Sequence, residues 1–136
     1  MLNENTKIFF IILFVYSFIS VTIFFINMDR KFFPKKTKDF LSETKENPNE
    51  IFIAAGEINN LYCLRGPRLK IRLHDEFMII SHFNRAIKVK YSEEITISKR
   101  LLSSCISFEQ DNNKYEIYPY SKKCIDYVKN KCLNEK

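Results

Sequence analysis

One stretch dominates what this chain can fold into: Ile8 to Ile26, IFFIILFVYSFISVTIFFI, nineteen residues without a charged side chain. As a helix it would extend roughly 28 Å, close to the hydrocarbon thickness of a bilayer. Its polar members, Tyr16, Ser17, Ser20 and Thr22, carry hydroxyls that can bond helix carbonyls and so tolerate lipid. No amphipathic stripe marks it as a buried soluble helix. A cleaved signal peptide needs a shorter apolar core and a pair of small residues at the cut. Cutting beside Ser17 and Ser20 would leave VTIFFI on the new terminus, so the run reads as an uncleaved anchor. The expected organisation is a short tail at 1–7, a transmembrane helix at 8–27 marked by Ile8, Phe14, Ser20 and Ile26, a basic linker at 28–49 and a folded domain at 50–136.

Charge near the span suggests its orientation. Lys7 stands on the N-terminal side; Arg30, Lys31, Lys35, Lys36 and Lys38 crowd the other. Positive residues favour the cytoplasm, which predicts the N-terminus outside and the domain inside. In the linker, Pro34 and Pro48 punctuate, and Thr37 to Lys45 suits a short helix. Two readings of the linker stand side by side. In one, Arg30, Lys31, Lys35, Lys36 and Lys38 contact anionic lipid while Phe32, Phe33, Phe40 and Leu41 enter the acyl boundary. In the other, it is a solvated spacer whose lysines only set topology.

Beyond the linker the apolar period becomes two. Leu69, Ile71 and Leu73 alternate with Arg68, Lys70, Arg72 and His74; Asp75-Glu76 is a turn; Phe77–Ser81 returns. Asn84-Arg85 is the next turn, followed by Ile87, Val89 and Tyr91 alternating with Lys88 and Lys90. Ile95 and Ile97, then Cys105, Ile106 and Phe108, continue the series, and residues 110–113 are a hairpin signal before Tyr115 and Ile117. After Pro119 the period changes again. Ser121 is an N-cap for a helix over about 121–133, with Cys124, Ile125, Val128, Cys132 and Leu133 on one face. The fold class is therefore α+β: an N-terminal transmembrane helix, a mostly antiparallel β sandwich or partial barrel of six or seven strands, and one C-terminal helix.

Three stretches in this order, RLKIRLHDEFMIIS, IKVKYSEEITI and the helix from Ser121, resemble the pleckstrin-homology-like (PH-like) domain of small membrane-anchored bacterial proteins. The resemblance covers roughly Asn60 to Leu133. It implies that Tyr91 and Ile95 pack inward while Ser92 and Glu93 turn the chain. Tyrosine stands where that family typically has tryptophan, and glycine is scarcer. The family implies phosphoinositide headgroups near the first hairpin, but a fold alone does not supply a ligand.

The side chains exclude more than they identify. With only Gly56 and Gly66, the chain has no phosphate-cradling or dinucleotide loop. His74, His82 and four cysteines without Cys-x-x-Cys spacing give no standard metal site. Ser103-Ser104 lacks a nucleophile elbow; no enzyme, cofactor or small-molecule substrate is expected. Asp75-Glu76 and Glu93-Glu94 interrupt the basic strands, which argues against nucleic acid. Arg65, Arg68, Lys70 and Arg72, with Lys88 and Lys90 on a neighbouring strand, form a face for an acidic partner or simply a solvated one that prevents edge pairing. Cys63, Cys105, Cys124 and Cys132 read as small buried hydrophobes in a reducing space. The expected function is a single-pass binding or scaffold module at the bilayer, docking a membrane protein, its own copies or anionic lipid. The alternative is an extracytoplasmic envelope assembly or protective protein locked by two disulfides.

Overall fold

The computed structural model describes residues 3–44, 46–99 and 103–135. Helix α1 runs over Glu4–Phe32. The Asn3 side chain caps it by accepting from the Thr6 amide at 2.8 Å, with Glu4 in the first turn and Arg30 and Lys31 in the last, as the helix dipole favours. Thr22 returns its hydroxyl to the Phe18 carbonyl at 2.8 Å, the bond expected of a hydroxyl in an apolar helix. α1 is long and apolar enough to cross a membrane, and its apolar window is uncovered by the rest of the protein.

The helix does not stop where the apolar run stops. Nothing between Asn27 and Phe32 breaks it, and the brake is Pro34: the preceding residue, Phe33, is forced from helical geometry to φ −125° and ψ 77°. The expected linker at 28–49 is thus replaced by structure. Its first turn and a half belongs to α1, Lys35–Lys36 form strand β1, and Thr37–Glu43 form helix α2. That short helix was expected; Lys45, its expected end, lies outside the described residues, as do Met1 and Leu2 of the tail.

The remaining strands are β2 (Glu50–Ile58), β3 (Tyr62–Leu73), β4 (Phe77–His82), β5 (Arg85–Lys90), β6 (Ile95–Lys99), β7 (Ser104–Gln110) and β8 (Asn113–Pro119), followed by helix α3 (Lys122–Glu135). They form one eight-stranded antiparallel sheet in the order β1-β5-β4-β3-β2-β8-β7-β6. Two meanders, β2 to β5 and β6 to β8, meet where β2 pairs with β8, and the sheet does not close into a barrel. This is the α+β class read from the alternation, with β1 and β2 as the strands that reading did not place.

Gly56 sits at that meeting, beside a register shift in the β2–β3 ladder. A methyl group there would lie 2.6 Å from Leu69 Cδ1 and 3.3 Å from the Glu116 carbonyl oxygen, so a larger residue at the crossing would have to displace the Leu69 side chain. At the β7–β8 hairpin, Asp111 and Asn112 take φ of 54° and 65°, a two-residue turn that such side chains tolerate.

The buried face gathers Leu69, Ile71, Leu73, Met78, Ile80, Ile87, Val89, Tyr91, Ile106, Phe108 and Ile117. α3 closes it with Cys124, Ile125, Val128 and Cys132. Leu133, expected on the same stripe, is 64% exposed because at about 100° per residue it turns away from the face shared by Cys124, Val128 and Cys132. Ser121 Oγ accepts from the Lys123 amide at 3.3 Å, a weak version of the expected cap. His74, expected outside, is buried: the chain turns immediately after β3, and its ring stacks on Phe77 at 4.8 Å. Its carbonyl accepts from the hydroxyls of Tyr91 at 2.9 Å and Tyr127 at 3.2 Å, joining β3 to α3.

Candidate functional site

The end of α1 meets the domain without slack. Phe32 and Phe33, expected as lipid-seeking anchors, are instead 2% and 0% exposed inside the core. Phe32 stacks on Tyr62 with ring centroids 5.6 Å apart, and Phe33 meets Tyr115 edge-on at 6.4 Å. The last carbonyls of a helix lack intrahelical donors, and here the domain supplies them. Tyr115 donates to the Phe32 carbonyl at 2.6 Å; Arg85 Nε donates to the Phe33 carbonyl at 2.7 Å, while another of its N–H groups reaches the Pro34 carbonyl. Burial pushes the Tyr115 hydroxyl up to about 12, so it remains a donor at any physiological pH.

Beside this joint, the Asp29 carboxylate sits 2.5 Å from His82 Nδ1, with the two side chains 14% and 3% exposed. Phe33, Tyr62 and Phe83 surround the His82 ring. His82 Nε2 is buried and has no hydrogen-bond partner. Burial, reinforced by the Asp29 charge and opposed by Arg68, raises the Tyr62 hydroxyl above its ordinary value. Between α1 and the β4–β5 turn lies a cavity of about 680 Å³. Its lining combines Thr22, Phe25 and Ile26 of the apolar run with a polar and largely basic set (Asp29, Arg30, Lys36, His82, Asn84, Arg85), and Tyr62 and Phe83 complete it.

Of the expected lipid contacts, Arg30 and Lys36 reach this cavity. Lys31 lies over the Phe32 ring at 5.6 Å, Lys35 pairs with Glu43 and covers the Phe40 ring at 4.8 Å, and Lys38 stands exposed on α2. The five therefore do not form one patch. Ile8, Phe14, Ser20 and Ile26 are all exposed along α1.

The expected basic face is also divided. Between Leu64 and Leu69, β3 bulges outward against β2, with Gly66 at φ 77° and Arg65 and Arg68 both exposed. Lys70 and Arg72 follow on the outer face, where Ile53 and Ile51 of β2 stand opposite them, each about half exposed. Arg72 is partly buried and donates to Ser81 Oγ at 3.1 Å, so it braces β4. Lys88 and Lys90 are not on the neighbouring strand: β4 intervenes, and Lys88 lies over the Phe77 ring at 4.2 Å. A shallow depression of about 250 Å³ joins Arg68, Lys70 and Arg72 to Ile53 and Phe83. Phe83 therefore borders both hollows.

The four cysteines stand as thiols outside any disulfide, Cys63 exposed and Cys105, Cys124 and Cys132 buried. Cys63 departs from the expected burial because its side chain points to the outer face of β3, where its thiol reaches Glu57 Oε1 at 3.6 Å. Burial raises the Cys124 thiol to about 12, which makes it an inert packing group. Among the described residues, no group of three or more His, Cys, Asp or Glu side chains is arranged to hold a metal. The residues that sequence reasoning missed are Asp29, Tyr62, His82, Phe83 and Arg85. One signal was available: Phe83-Asn84 puts an aromatic where a turn normally takes Gly, Asn or Asp. Compared as a sequence and as a fold, the chain matches no family model, no curated protein and no solved structure.

Proposed function

We propose that this protein is a single-span membrane-anchored binding module with a PH-like domain held at the inner face of the bilayer. The joint at Phe32 and Phe33 carries the reading. A tether that merely localises a domain needs a flexible linker, whereas this helix is packed and hydrogen-bonded into the core of what it carries. Such a joint fixes the height and the bearing of the domain above lipid. The strand order supports the PH-like assignment: two antiparallel meanders joined through their first and last strands, with a C-terminal helix over the buried face. The lysines and arginine after Ile26 support the domain-inside orientation.

The docking surface is the outer face around Arg65, Arg68 and Lys70, bordered by Ile51 and Ile53, and the partner is an acidic segment of another membrane protein. Confinement to two dimensions raises the effective concentration of such a partner without new contacts.

Two measurements test this. Cys63 is the exposed thiol among the four, so a membrane-impermeant maleimide should label it in broken but not intact cells, with Cys63→Ser as the blank. Labelling in intact cells would overturn the orientation. A photo-crosslinking residue at Lys70 of the full chain in native membranes should give a protein adduct that Arg68→Glu abolishes. Lipid adducts alone, or none, would overturn the protein-docking role.

A further inference from the structure

The cavity between α1 and the β4–β5 turn asks for a ligand with two chemistries. Thr22, Phe25 and Ile26 of its lining belong to the apolar run, and Arg30, Lys36 and Arg85 bring positive charge. Asp29 is the one acidic group in the lining, and His82 already engages it. Arg30 and Lys36 have no ion-pair partner among the described residues, and Arg85 is held by two backbone carbonyls with further N–H groups to spare. An anion entering here meets one cation already held in place, Arg85, and two, Arg30 and Lys36, left to close on it.

The turn that closes the cavity is built at a cost. Phe83 is 81% exposed and adopts φ 55°, a left-handed conformation that bulky residues rarely take. Its contact with the His82 ring, 4.3 Å between centroids, leaves most of the side chain bare, and glycine or asparagine would relieve about 1–3 kcal/mol of strain. An exposed aromatic ring beside Phe25 and Ile26 has a use at the boundary between headgroups and acyl chains.

We infer that this cavity binds one anionic phospholipid of the surrounding bilayer, its phosphate among Arg30, Lys36 and Arg85 and its acyl chains against Phe25, Ile26 and Phe83. The inference rests on the membrane-anchored reading above, but not on the protein-docking role. Headgroup charge is the selective element. Phosphatidylcholine offers the same acyl chains and a phosphate, but its ammonium cancels the headgroup charge and is repelled by Arg30, Lys36 and Arg85, whereas phosphatidylglycerol keeps its net negative charge.

The chain has no tryptophan, so Phe83→Trp in the full-length protein supplies a single fluorescent reporter. The probe is a proteoliposome of phosphatidylcholine and phosphatidylglycerol in which one lipid or the other carries brominated acyl chains, at equal mole fraction. Brominated phosphatidylglycerol should quench several-fold more than brominated phosphatidylcholine, and Arg30→Gln with Lys36→Gln should remove the preference. Equal quenching by both lipids in a chain that still floats with the vesicles would overturn the site while leaving the anchor intact. Failure to float would overturn the anchor itself. Loss of the preference in millimolar inorganic phosphate, where sodium chloride of the same ionic strength leaves it intact, would assign the cations to a soluble anion and overturn the lipid. If Phe83→Trp does not fold, native mass spectrometry of the wild type against the Arg30→Gln/Lys36→Gln chain reads the same contrast as phosphatidylglycerol retained.

Discussion

The middle of α1 and its C-terminal foot use the same amino acid in opposite ways. Phe14 and Phe18 are 73% and 66% exposed, whereas Phe32 and Phe33 are 2% and 0% exposed. One continuous helix therefore carries a long bare apolar part and, at its foot, a last turn anchored in the core. Neither propensity nor hydrophobicity separates them. What separates them is that the sheet offers Tyr62, Tyr115 and Arg85 to the second pair and nothing to the first. Apolar side chains that find no protein must find another solvent, and for the bare part that solvent is lipid in the reading given above.

Substitutions sharpen this contrast. Phe33→Ala should destabilise the full chain, unfolded by heat in detergent micelles, by about 3–5 kcal/mol, because a closed core is left with a void. Tyr115→Phe should cost about 1–3 kcal/mol in the same assay by leaving the buried Phe32 carbonyl without its donor. Phe14→Ala, in the bare part, should change that stability by less than about 0.5 kcal/mol. Equal losses at Phe14 and Phe33 would break the distinction between the two parts.

Acid should divide the molecule along the same line. His74 is buried with neither ring nitrogen hydrogen-bonded among the described residues, and burial holds its folded-state basicity below the ordinary histidine value. The unfolded chain therefore binds the proton first. Stability conferred by the neutral ring is complete above the unfolded pKa of about 6.5 and declines as pH falls from there toward the lowered folded value. Titrating denaturation midpoints should show that decline in the domain, and His74→Phe should flatten it. The helicity of the bare part of α1 should not change over the window.

Much of this was legible beforehand, for physical reasons that also explain the gaps. Long apolar runs, strict alternation in β3 and β5, and the stripe on α3 are strong signals because each arises from one face meeting one surroundings. Strand β2 escaped notice because Ile51, Phe52 and Ile53 are all apolar, with Ile51 and Ile53 left half exposed, so alternation is absent. No pattern marks Lys35–Lys36 as a strand, since β1 exists only through its pairing with Ala86 and Arg85. Phe32 and Phe33 were legible as apolar but not as core, because their partners stand 30 and more positions away. The cavity was hidden for the same reason: Asp29 and His82 meet only through the fold.

A helix without a hinge also behaves as a lever. α1 has 29 residues and spans roughly 43 Å. In a thinner bilayer such a rod leans to keep its apolar length under cover, and a sheet clamped to its foot must lean with it. Local membrane thickness would then set the angle at which the outer strands meet whatever lies alongside, a mechanical reading of the bilayer that a floppy tether could not give.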